Sequence, residues 1–338
     1  MYGWCKMELP KEHMDDIVSS YMRRLPADDP GFDAERLVEK AENDYRPHIR
    51  ATAAERLGYF REASAVPGLC SNLFDSSTAV NAAKALGMIG DHSAIPYLFQ
   101  GIERDFGTQR GHMIDSLGMI KDAAAAPKLI KRLFGAIGNR VDDEYMEYYV
   151  LAVGRIMASS DDSQVREIEQ MLEQELDSCP YMDRPDTGGY DVAVSLPGKV
   201  KNAAQLIRQA ESMDNDGLMD ALIELDARKR DPVDMSRAAL EVVRSKVHKC
   251  DSAEETRELF DLLTDATKRS KHRTKSSRTE RLLQEALKDA GMKLLVLETA
   301  KREMGGTLSG GTVKPPRSVP RPQERPVPKT ARRSPFSM

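Results

Sequence analysis

A chain of 338 residues with 50 Lys and Arg against 54 Asp and Glu has a net charge of −4, which excludes the strong one-signed field of a general nucleic-acid binder. Hydrophobic residues make up 40% and aromatics only 6%, with one Trp, so the expected core is helical and packed through Ala, Leu, Ile and Met. No stretch approaches the roughly 20 apolar residues that a membrane-crossing helix needs.

The first segment, 1–45, is expected to form capping helices. "KEHMDDIVSSYMRRL" and "DAERLVEKAEND" read as two helices separated by the breaker "PADDPG". The opening "MYGWCKMELPKEHMDD" acquires acids early and lacks the apolar run of a signal peptide, so a soluble, cytoplasmic protein is expected. Cys5, Cys70, Cys179 and Cys250 form no CxxC pair, which fits free thiols in a reducing compartment and gives a zinc site no support.

Residues 46–176 repeat themselves. "RLGYFREASAVPGLC" (56–70), "ALGMIGDHSAIPYLF" (85–99) and "SLGMIKDAAAAPKLI" (116–130) agree at five columns: Leu, Gly, Ala, Pro and Leu. Their prolines, Pro67, Pro96 and Pro127, are 29 and 31 residues apart, the signature of a solenoid whose units cannot bury their apolar faces alone. Within a unit, Ser77 is the expected N-cap of a first helix bearing Ala79, Val80, Ala82, Ala83 and Leu86. Gly87 is expected to end that helix in a left-handed conformation. Asp91 then caps a second helix, Pro96 falls in its first turn, and Ile95, Leu98, Phe99 and Ile102 form its buried stripe. A degenerate fourth unit follows, with Gly154 in the turn and Asp161 and Asp162 as caps.

"NAAKALGMIGDHSAIPYLF" resembles the HEAT-like repeat of the phycobilisome-lyase type; "TAAERLGYFREASAVPGLC" and "HMIDSLGMIKDAAAAPKLI" follow the same pattern. The resemblance implies an all-α fold, an α-solenoid of helical hairpins, with the second helices lining a concave, partner-binding face. The outward residues there are Ser71, Asn72, Tyr97, Gln100, Lys128, Lys131 and Arg132. They change from neutral to basic along the axis, so the expected partner is a protein with an acidic patch, held by a non-enzymatic scaffold or adaptor. The resemblance also admits a subunit similar to bilin lyases and isomerases, with no catalytic residue carried over.

Residues 177–199, rich in Pro, Gly and Asp, read as a loop or linker; 200–304 read as further helices; and 305–338, rich in Gly, Pro, Ser and Arg, read as a disordered tail. Lys268, Arg269, Lys271, Arg273, Lys275 and Arg278 form a basic run, and the tail adds seven more Lys and Arg. This is the alternative site, for nucleic acid or another polyanion. No aromatics interleave there to stack bases.

Other motifs fall short. "GGTLSGGTVK" (305–314) has Thr312 where a phosphate loop needs Lys, and it follows a helix. "SMDNDGLMDALI" has Ser212 and Ile223 at the first and twelfth positions of a calcium loop, so Asp214, Asp216 and Gly217 read as a helix-capping turn. One iron-dependent hydroxylase family with HEAT-like repeats uses His-Glu pairs, and none of the six His here precedes a Glu. No metal, cofactor or nucleophile motif is expected. The methionines of the repeats, Met88, Met113, Met119, Met146 and Met157, read as core filling.

Overall fold

Asp33 accepts the Arg36 amide and starts the first of a succession of helices in a computed structural model that describes residues 33–104, 107, 109–138, 145–223, 234–273 and 277–304. In chain order these are α1 (Ala34–Asn43), α2 (Pro47–Phe60), α3 (Val66–Asn72), α4 (Ala79–Ile89), α5 (Ile95–Glu103), α6 (Gln109–Ile120) and α7 (Ala126–Gly135). They continue with α8 (Met146–Ser159), α9 (Asp162–Asp177), α10 (Gly188–Glu211), α11 (Asn215–Ile223), α12 (Met235–Lys249), α13 (Ala253–Arg273) and α14 (Ser277–Met304). No strand occurs among the described residues, and no described helix is long and apolar enough to cross a membrane.

Even- and odd-numbered helices have different surroundings. In α4, eight of eleven residues are buried, and in α8 ten of fourteen, whereas the sixteen-residue α9 buries only Ile168 and Leu172. The even helices therefore form an inner layer and the odd helices an amphipathic outer layer, each outer helix packing on the inner helix that follows it. Along the inner layer α2 touches α4, and so on through α12 to α14. Helix α14 then returns to touch α2. The solenoid closes into a ring.

The repeated glycine explains how the inner helices pack. A methyl built on Gly58 would lie 2.8 Å from Ala85 Cα, on Gly87 3.0 Å from Ser116 Cα, and on Gly118 2.7 Å from Ala152 Cα. At Gly154 it would lie 2.8 Å from Ala203 Cβ. Helices α2, α4, α6 and α8 thus each offer a bare backbone to a small residue on the next inner helix. This corrects the expectation that Gly87 ends its helix: it is buried inside α4, and the left-handed cap comes three residues later at Gly90, with φ 77°. Ser77 is not the N-cap either; Thr78 holds that place without a side-chain cap, and Ser77 is tied to Asp75.

The other turn residues behave as their chemistry dictates. Glu62, Asp91 and Asp122 accept the amides of Ser64, Ser93 and Ala124 in short 3-10 turns, and Pro67, Pro96 and Pro127 follow in the first turns of α3, α5 and α7. Asp161 and Gln164 form a reciprocal capping box on α9. Asp214 accepts the Gly217 amide at the start of α11, a capping turn.

One expectation fails in the second half. The segment 177–199 is non-helical only as far as Thr187; from Gly188 it is the start of α10, with Pro197 inside the helix. Ala193, Leu196, Val200, Ala203 and Ile207 supply a buried stripe along α10 that holds it against α8 across the proline. Helices α10, α12 and α14 also extend the inner layer, so they continue the repeat's packing without its sequence signature. The residues read as a first capping helix and as the tail, including 305–314, lie outside the described residues, as does Cys5.

The seam between α2 and α14 is sealed by a separate small cluster of Tyr59, Met88, Met292, Leu295 and Val296. Tyr59 also gathers polar contacts there: its OH donates to Asp289 (3.3 Å), and its carbonyl accepts from Lys293 Nζ (2.7 Å).

Candidate functional site

A layer of charge crosses the centre of the ring. Arg155, 3% exposed, donates to Asp115 (2.6 Å) and pairs with Glu241, which also meets Arg237 at 3.4 Å. Beside them Arg244 pairs with Asp289 at 2.7 Å. Burial alone would raise the Asp115 and Asp289 carboxyls, yet Arg155, Arg244 and Arg237 outweigh it at Asp115, and chiefly Arg244 at Asp289, holding both below the usual carboxylate range. Burial pushes His248 down to about 4, with Arg244 and Lys293 adding to it against Asp289, so the ring is neutral at pH 7. These groups neutralise one another and leave the layer as a septum.

A cavity opens on each side of the septum. On the side of the inner helices' N-terminal halves, one of about 400 Å³ is lined by Lys84, His112, Glu147, Tyr148, Glu285 and Lys288, a polar lining of both signs. On the other side, where α2, α4, α6, α10 and α12 end, lies a cavity of about 250 Å³. Its wall is apolar at Met88, Ile89, Met119, Ile120, Ile207 and Val242, and the septum residues Arg155, Glu241, Arg244 and His248 close it below. Its rim carries Arg61, Lys121 and Lys249 against Glu211, which Lys121 meets at 3.2 Å. Neither Arg61 nor Lys249 has a bonded side-chain partner among the described residues. Two of the methionines read as core filling, Met88 and Met119, therefore face this mouth as well.

The residues expected on the concave face lie elsewhere. Helices α3, α5 and α7 are outer helices, because the inner layer is formed by the glycine-bearing first helices that approach most closely. Asn72 is buried and donates to the Ala41 carbonyl at 2.7 Å, a structural role. Ser71, Tyr97, Gln100 and Lys131 are exposed on the outside, Tyr97 to 46%. Lys128 and Arg132 both bond Glu103 at 2.9 Å, and Lys128 also sits 4.6 Å over the Phe99 ring, so two of the strip's three cations are already engaged, although Glu103 offsets only one positive charge.

Of the basic run, Arg269 on α13 is bonded to Asp220 (2.7 Å) and Asp265 (3.0 Å), and Lys268 is exposed. Lys275 and the side chains of Lys271, Arg273 and Arg278 lie outside the described residues. Cys70, Cys179 and Cys250 are buried, unpaired thiols, and no group of three or more His, Cys, Asp or Glu that could hold a metal occurs among the described residues.

Sequence reasoning missed the septum and the mouth. The readable signal was a lone cation in an apolar run: Arg155 in "LAVGRIMA" and Lys293 in "GMKLLVL". Such a residue on a helix buried all round must find a partner inside.

The architecture is that of an α-solenoid. Residues 34–108 match the family of HEAT repeats. No curated protein matches it. Among solved structures, the complex of CpcE and CpcF of phycocyanin lyase from Nostoc sp. PCC7120 is similar at 20% identity and a TM-score of 0.40, covering 79% of this chain and 98% of that chain.

Proposed function

We propose that the protein is a non-enzymatic interaction scaffold and that a partner protein engages it, through an acidic surface, at the mouth where the inner helices end. One observation carries the reading: Arg61 and Lys249, which have no bonded side-chain partner among the described residues, stand at the rim of a cavity whose wall includes Met88, Ile89, Met119, Ile120, Ile207 and Val242, the combination of an apolar centre and a charged rim that a partner surface uses. The outer strip at Lys128, Lys131 and Arg132 is the weaker candidate, since Glu103 already occupies two of its three cations.

The experiment compares two triple charge reversals in the full chain, Arg61→Glu/Lys121→Glu/Lys249→Glu and Lys128→Glu/Lys131→Glu/Arg132→Glu, by cross-linking and affinity purification. The mouth variant is expected to lose the partner that the parent retains, and the outer variant to keep it. The reverse pattern overturns the reading. For a bilin-lyase subunit the repeat resemblance is the only support.

A further inference from the structure

Three inner helices reach the mouth with the same backbone shape. Arg61 after α2, Gly90 after α4 and Lys121 after α6 all lie in the left-handed region, with φ of 56°, 77° and 60°. Gly adopts this conformation at little cost, whereas an L side chain is strained there by its Cβ against the following carbonyl. The middle unit uses Gly, so the turn itself does not need a side chain. Its two neighbours carry long cations in the strained position, and both line the mouth cavity.

Service to the helix ends does not account fully for that choice. A cation near a helix C-terminus is favourable, but it could stand in the preceding turn without strain, and the last turns of α2 and α6 hold no basic residue. What the cap position adds is placement at the rim. Between the two cations, Gly90 leaves open ground: a methyl built there meets nothing within 4 Å. A main chain can pass close over the end of α4 at that point.

The mouth also discriminates between anions. The last carbonyls of a helix have no partner within it, and several inner helices end here, so a compact phosphate would face their negative ends. A peptide brings N–H donors for carbonyls, carboxylates for cations and an apolar side chain for the apolar wall. Lys121 is held meanwhile by Glu211, a 41% exposed carboxylate, and a pair of that kind is weak enough to be exchanged for a partner's.

Resting on the reading of the mouth as the partner site, we propose that Arg61 and Lys121 are its specificity-determining residues. They clasp two carboxylates of an extended acidic segment of the partner, which crosses over Gly90 with an apolar side chain between Met88, Ile89, Met119 and Val242. Glu211 acts as the intramolecular competitor for Lys121.

The test is fluorescence anisotropy on the full chain, with a fluorescein-labelled peptide that carries one glutamate two positions before and another two positions after a leucine, so that all three face the mouth in an extended backbone, as probe. A glutamine-for-glutamate version is the control and inorganic phosphate the competitor. Arg61→Gly and Lys121→Gly are each expected to weaken binding about tenfold, to flatten its salt dependence and to leave the melting temperature no lower than the parent's. Arg61→Lys should retain binding, and Glu211→Gln should tighten it. If the parent binds the probe and the glycine variants bind it equally well, the clasp is wrong and the scaffold reading stands. If the parent ignores the probe, or phosphate displaces it as readily as unlabelled peptide does, the acidic-peptide occupant is wrong. If the triple reversal at the mouth leaves the native partner bound, the scaffold reading of this site fails, and the clasp with it.

Discussion

Gly118 and Gly90 are both glycines of the repeat region and serve opposite purposes. At Gly118 the obstacle to a side chain is the main chain of α8, 2.7 Å from a built methyl, which cannot move aside cheaply. At Gly90 there is free space and only the backbone angle objects. Gly118→Ala is therefore expected to cost about 2 kcal/mol in urea denaturation and Gly90→Ala about 1 kcal/mol. Equal losses at both positions would refute the close-approach role. His248 gives a second test at this scale. Its imidazole is held neutral at a pKa of about 4, while the unfolded chain titrates near 6.5, so the unfolded state takes up the proton first. Stability is complete above pH 6.5 and declines as the pH falls towards 4, by about 3 kcal/mol from this group. Burial lowers His112 too and contributes with the same sign. Thermal melts from pH 7 to 4.5 should show the decline, and His248→Gln should remove the larger part of it. An unchanged slope would mean that His248 is not buried as described.

The turns of the first hairpins were legible because their chemistry is local. An acid accepts an amide two residues on, a proline follows in the first helical turn, and both patterns recur at a fixed spacing. The later helices lack such punctuation, and their place is set by apolar stripes that look alike on any amphipathic helix. Pro197 marks that limit: the sequence reads it as a breaker, and packing of Leu196, Val200 and Ala203 against α8 overrides it. The mouth was illegible for a related reason. Arg61, Lys121, Glu211 and Lys249 are far apart in sequence, and only curvature brings them together. The direction of that curvature was misjudged from the resemblance, although the glycine column pointed to the first helices as the closely approaching, inner set. At the seam, Leu295→Ala is expected to cost about 2–4 kcal/mol. It should also speed hydrogen exchange in residues 47–60 and 282–298 together while leaving 109–120 protected. Faster exchange in 109–120 alone would contradict a seam between α2 and α14.

At the scale of the whole molecule, closure changes what a solenoid can offer a partner. An open stack presents one long inner face, whereas here the inner face is turned on itself and crossed by paired charges. What remains accessible is the set of helix ends around two mouths and the outer helices. The arrangement also makes α14 a structural element of the first repeat, through Tyr59, Asp289 and Lys293. Everything proposed for the mouth depends on that closure, because α12 and α2 face one another across it only in a ring. The direct measurement is a pulsed electron-resonance distance between spin labels at Ser64 and Lys288, two exposed positions on either side of the seam. A closed ring gives one short, narrow distance distribution that Leu295→Ala broadens; a long or broad distribution in the parent would mean that the ends of the solenoid do not meet.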